Sequence, residues 1–162
     1  MGDEVKQGRW TVEVEGDFVV FIIGAKPNTW KIWQFLGDVG GAKGMQKMLD
    51  YLVANPEKGL LAYEQHGPLG VIVQYWRSFE QLEAFANDKD DPHLEVWRKY
   101  WKRLGKSART GVWHETFLVK AGQYETVYAN MKPIGLAKAG KLVTVAESKN
   151  AARERLGAPV TG

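Results

Sequence analysis

Cysteine is absent from this 162-residue chain, which excludes a disulfide framework, a thiolate nucleophile and any Cys-bearing zinc or iron–sulfur site. Histidine is scarce as well: His66, His93 and His114 are the only imidazoles, so metal chemistry is thinly supplied. Long apolar runs are missing. The longest, Phe18 to Ile23, is bounded by Asp17 and by Gly24 with Lys26, far short of the ~20 apolar residues of a membrane helix, and no membrane partner is expected. The opening Met-Gly-Asp-Glu-Val-Lys has no basic stretch ahead of an apolar one, so a secretory signal is not expected and a cytoplasmic location is. A strongly charged domain is also lacking. The net +3 resides in residues 131–162, where Lys132, Lys138, Lys141, Lys149, Arg153 and Arg155 outnumber Glu147 and Glu154. A basic tail is not a basic domain, and no nucleic-acid partner is expected.

What the chain does have is aromatic mass: seven Trp, six Tyr and six Phe in a length that suits one domain with one core. The hydrophobic pattern predicts the elements that carry them. Trp10 to Val14 alternates as a short strand, Glu15-Gly16-Asp17 turns, and Phe18 to Ile23 reads as a long strand apolar on both faces. Met45, Met48, Leu49 and Leu52 have the spacing of a helix with one apolar stripe, stopping near Asn55-Pro56. Gly59 to His66 and Val71 to Trp76 read as a hairpin across Gly67-Pro68-Leu69-Gly70. Ser78 with Gln81 has the form of a capping box ahead of a short helix. Pro92 opens a second one, with Leu94, Trp97, Trp101 and Leu104 along one face. Residues 111–119 alternate as a last core strand, and Tyr124 to Tyr128 has the character of a short extra strand.

The order β-α-β-β-α-β, after a small N-terminal hairpin, is that of a ferredoxin-like α+β domain over residues 1–130. Residues 131–162 are expected to wrap the surface as a basic C-terminal tail, with a short helix from Asn150 to Leu156. Helices cover only one face of such a sheet, and the strand from Phe18 to Ile23 is apolar on both. The second face is therefore expected to be buried by a second subunit, giving a homodimeric α/β barrel.

Several motifs resemble one family. They are Gln74-Tyr-Trp-Arg-Ser-Phe79 with Leu82-Glu-Ala-Phe-Ala86, Pro92-His-Leu94 with Trp97-Arg98, Trp113-His-Glu-Thr116, and Gly135-Leu-Ala-Lys-Ala-Gly140. Together, over residues 15–157, they resemble a monooxygenase-like family that is similar to the small monooxygenase of fungal fumagillin biosynthesis and is grouped with the dimeric α/β-barrel proteins. The resemblance implies a barrel dimer and an oxygenase relative.

Polar residues inside core strands are the candidates for chemistry, because a buried polar group left unpaired costs roughly 1–3 kcal/mol. Strand alternation puts Gln74 on one face with Trp76, and His114 on one face with Thr116, while Trp113 and Glu115 point the other way. His114, with an ordinary pKa near ~6.5, is a candidate base toward a phenol or an activated carbon; the alternative is a structural histidine hydrogen-bonded in the sheet. Glu115 is the other candidate on that strand. Arg77 is suited either to a substrate carboxylate or enolate, or to an ion pair with Glu80 or Glu115. His93 either caps its helix or lines a pocket with Trp97, four residues on. His66, beside a turn, is expected to be exposed.

Trp33, Trp76, Trp97 and Trp113 are candidate walls of a cavity for a flat hydrophobic ligand, plain core filling being the alternative. Gly37, Gly40, Gly41 and Gly44 match neither nucleotide fingerprint and suggest a lid or hinge. Arg98 to Arg103 forms a basic, aromatic helix face, solvated or facing an anionic partner. Three functions follow. The first is a monooxygenase-like enzyme that oxidises a small hydrophobic or aromatic molecule without a bound cofactor. The second, implied by related barrels, is a haem enzyme of dehydratase or peroxidase type with His93 or His114 as axial ligand. The third is a non-catalytic protein that binds a small hydrophobic molecule.

Overall fold

A computed structural model describes residues 4–39, 43–67, 71–89, 92–105, 107–145, 152 and 156. A four-stranded antiparallel sheet forms the centre. Its strands are β2 (Phe18–Pro27), β3 (Leu60–Gln65), β4 (Ile72–Trp76) and β5 (Thr110–Val119), in the order β3-β4-β2-β5. Between β2 and β3 run α1 (Ile32–Asp38) and α2 (Lys43–Ala54), and between β4 and β5 run α3 (Phe79–Asn87) and α4 (Pro92–Leu104). This is the ferredoxin-like α+β arrangement, with the first strand central and the last at the edge.

Helices α2, α3 and α4 form where their patterns predict, and α1 is an addition to them. The stripe of α2 buries Met48, Leu49 and Leu52, with Leu49 and Leu52 at 1% exposure. Ser78 caps α3, its Oγ accepting the Gln81 N–H at 3.2 Å. The reciprocal half of the capping box is not made: Gln81 Oε1 is buried without a hydrogen-bond partner, while its amide nitrogen donates to the Glu57 carbonyl. Against the helices the sheet packs Val19, Leu60 and Trp76, which meet Leu82 and Phe85 of α3 and Met48 and Leu52 of α2.

The N-terminal strand departs from expectation. β1 (Lys6–Glu13) makes no hairpin with β2; it pairs antiparallel with β6 (Tyr128–Met131) on one side and β7 (Lys141–Thr144) on the other. Gly16, at φ +71°, turns the chain from one sheet to the next, a left-handed conformation that favours glycine. The extra strand falls at Tyr128–Met131 rather than Tyr124 to Tyr128. Beyond Met131 the chain does more than wrap the surface: a 3₁₀ turn at Gly135–Lys138 and then β7 are built in, with Leu136, Ala137 and Val145 buried. Of the helix expected over Asn150 to Leu156 only Ala152 and Leu156 are described, the Leu156 N–H donating to the Ala152 carbonyl at 3.0 Å; the turn at 68–70 lies outside the described residues.

The second sheet corrects the account of the sheet's other face. Val12, Val14 and Leu136 pack on Phe18, with Val20, Leu61, Tyr75 and Val119 around them. The chain thus covers part of that face itself. Further along β5 the face stays open, with Trp113 39% and Phe117 49% exposed.

Candidate functional site

Helices and sheet do not close completely over one another. Between them lies a cavity of about 440 Å³, within the range of small-molecule sites. Register fixes its floor. Phe21 of β2 lies opposite Gln74 of β4 on one side and Thr116 of β5 on the other, and Ile23 lies between Ile72 and His114. Facing residues across an antiparallel ladder share a face, so Gln74, Thr116 and His114 all look toward the helices. The roof is mostly apolar: Phe35 of α1 and Val39 just after it, Met45 and Leu49 of α2, Phe85 of α3, and Trp97 and Tyr100 of α4.

His114 stands on the edge strand, its ring 5.4 Å from that of Phe21 and tilted by 33°. Among the described residues no hydrogen bond holds its imidazole, unlike a histidine satisfied inside a sheet. Glu115 is paired with Ile22 and belongs to the opposite face, so the two residues do not meet. Thr116 joins His114 in the lining, a hydroxyl two residues beyond it on the same face.

Gln74 is 6% exposed and Trp76 fully buried. The Trp76 indole Nε1 donates to Gln74 Oε1 at 2.9 Å, so two candidate site residues are bound to each other at the cavity floor. Trp97 also lines the cavity, while its neighbour Trp101, stacked on it at 6.3 Å, is 59% exposed. The aromatic set therefore divides. Trp33 is 62% and Trp30 79% exposed, the two rings edge to face at 5.9 Å, outside the lining. Trp113 lies on the far face across Gly24, where a Cβ would stand 2.8 Å from its indole. Neither Trp33 nor Trp113 meets the cavity within one chain.

Arg77 is not at the cavity; its Nη1 donates to the Glu15 carbonyl at 3.0 Å and holds the turn between the sheets. His66 is exposed, and the side chain of His93 lies outside the described residues. One cluster escaped sequence reasoning. Asp38, 2% exposed, accepts from Arg109 Nε at 2.7 Å and Nη2 at 2.6 Å and from Thr110 Oγ1 at 2.8 Å. Tyr100, in the roof, donates to the Thr110 carbonyl at 3.2 Å. The Arg109 guanidinium beside Asp38 holds its carboxyl below the usual carboxylate range. Burial, with the Asp38 charge nearby, pushes the Tyr100 phenol up. No motif signals this cluster, because its members are brought together from positions 71 and 72 residues apart.

A haem ligand set is a poor match to these residues. His114 is the one imidazole in the described lining, and an axial histidine ordinarily has its second ring nitrogen fixed by a partner that His114 lacks among the described residues. Among the described residues no three His, Cys, Asp or Glu side chains cluster as a metal site, and no helix is long and apolar enough to cross a membrane.

Fold and cavity define a ferredoxin-like α+β protein with a cavity between its sheet and helices. The chain belongs to the monooxygenase af470-like family, whose pattern matches residues 18–136. Monooxygenase af470 of Aspergillus fumigatus is 31% identical over 96 residues, covering 55% of this chain and 34% of that protein. The chain thus aligns with about a third of the length of this curated relative. Among solved structures it is similar to aldoxime dehydratase (OxdRE) in complex with butyraldoxime, with a TM-score of 0.64, 18% identity, and coverage of 87% of this chain and 42% of that one. At that identity the likeness is one of fold.

Proposed function

We propose that this protein is a monooxygenase-like enzyme that takes a small hydrophobic molecule into the cavity and uses His114 as base. The observation that carries the reading is the His114 imidazole, without a described hydrogen-bond partner, on the wall of a largely apolar cavity. A neutral imidazole accepts a proton from a phenol or an activated carbon and leaves an electron-rich anion beside the apolar lining. Dioxygen is the oxidant. A CH₂ group becomes C=O, one oxygen atom entering the substrate and the other leaving as water with the two hydrogens. Membership of the monooxygenase af470-like family supports the reaction class. Trp113 and Phe117, exposed on the open face, support pairing with a second copy there.

The test is product formation under air from a panel of phenols and activated methylene compounds, with oxygen uptake measured in parallel. For a compound that turns over, His114→Ala is expected to lower kcat by about 10²–10⁴-fold, the usual contribution of a positioned base. Unchanged turnover in that variant refutes the role of His114. Tight retention of ligands with no product from any of them leaves a binding protein instead.

A further inference from the structure

Gln74 is the most buried polar side chain of the cavity floor, and its bond to Trp76 settles which way its amide faces. An indole N–H only donates, so the atom it meets at 2.9 Å is the amide oxygen. The amide nitrogen is thereby turned away from Trp76. Among the described residues it has no protein partner, although the side chain is more than nine-tenths buried and belongs to the cavity lining. The nitrogen is not sealed off from space a water can enter, and the cavity is what remains to satisfy it. Trp76 cannot rotate to release the amide, since it is fully buried against Phe85, with ring centroids 5.8 Å apart. The donor is therefore fixed before any ligand arrives.

From this geometry we infer that the Gln74 amide nitrogen is a binding site for an acceptor oxygen, which makes the preferred ligand a hydrophobic molecule carrying one phenolic, enolic or carbonyl oxygen. Phe21 lies directly between Gln74 and Thr116 in the sheet, and His114 follows on the same face of β5. A ligand lying across Phe21 has its oxygen toward Gln74 and its body toward the edge strand. A donor aimed at an oxygen on which negative charge develops stabilises the anion without reorganising, which is the service an oxyanion hole performs. Trp76 is then a positioning residue that acts through Gln74.

The inference rests on the cavity reading above but not on His114 being a base. It is tested by binding, on the full chain, with 2-naphthol and 2-methylnaphthalene as probes that differ by an oxygen donor and acceptor against a methyl group. In ¹H–¹⁵N spectra, 2-naphthol is expected to shift the Gln74 side-chain amide signals and 2-methylnaphthalene to leave them in place. Gln74→Glu keeps an oxygen for the Trp76 N–H, so its core stays paired, but removes the donor. It is expected to weaken 2-naphthol about tenfold, the equivalent of one hydrogen bond, with 2-methylnaphthalene unchanged. Trp76→Phe, which unlocks the amide, is expected to lower the preference for 2-naphthol in the same direction. Equal binding of both probes that Gln74→Glu leaves unaltered overturns the inference and leaves the cavity reading standing. Failure of both probes to bind overturns the inference and the cavity reading together.

Discussion

Replacing Asp38 by Asn removes one charge from the place where α1, α4 and β5 are tied together. Asp38 is 2% exposed and accepts three hydrogen bonds, two from one guanidinium and one from Thr110 Oγ1. A hydrogen bond to a charged group contributes about 1.5–3 kcal/mol. Asn keeps one oxygen but turns an NH₂ group toward donors. The guanidinium side chain is 32% exposed and rehydrates in part, which limits the loss. The expected cost of Asp38→Asn is about 2–3 kcal/mol, from a total of order 5–15 kcal/mol. For a chain of this size that lowers Tm by about 4–12 °C.

The sign of the pH dependence follows from the direction of the shift. The folded-state carboxyl lies below its usual range, whereas the unfolded one titrates near ~3.9. Its contribution is complete above the unfolded value and is lost as pH falls through the folded one. Thermal unfolding followed by circular dichroism, at pH 7 and at steps down to pH 3, measures both effects. The gap in Tm between the two proteins should be widest near neutrality and should narrow on acidification. A change below about 1 °C at pH 7, or a gap that widens toward acid, refutes this account of Asp38.

Leu52→Ala empties a site at 1% exposure beneath α2 and is expected to cost about 2–5 kcal/mol in denaturant melts. Ser78→Ala leaves the Gln81 N–H without its cap and should cost about 1 kcal/mol by the same measurement, with the cavity's ligand affinity unchanged. Gly24→Ala sets a Cβ where it would lie 2.8 Å from the Trp113 indole, so that ring must move. Near-ultraviolet circular dichroism should change accordingly, and an unaltered spectrum would show that Trp113 does not lie across Gly24.

Much of the framework was legible along the chain because it is local. The stripe of α2 and the Ser78 cap depend on neighbours three and four residues away, and the β3–β4 hairpin on a short connection, all visible in sequence. β1 was misjudged for the opposite reason. Its partners, Tyr128–Met131 and Lys141–Thr144, are more than a hundred residues away, and the short turn at Gly16 reads like a hairpin although it changes sheets. Arg77 was misread because a backbone carbonyl, which no sequence pattern marks, takes its guanidinium.

For the site, sequence alone determined the alternation: His114 with Thr116, and Gln74 with Trp76, since a strand has only two faces. Which face meets the helices was decided by packing, and with it the separation of His114 from Glu115. The seven Trp residues were likewise countable but not assignable. Tertiary structure sends Trp76 to the floor, Trp97 to the roof, and Trp30, Trp33 and Trp101 outward. The missing cysteines were final from the start, because no fold can supply a thiolate the chain does not contain. The orientation of the Gln74 amide and the burial of Asp38 were not, because each depends on where distant partners come to rest.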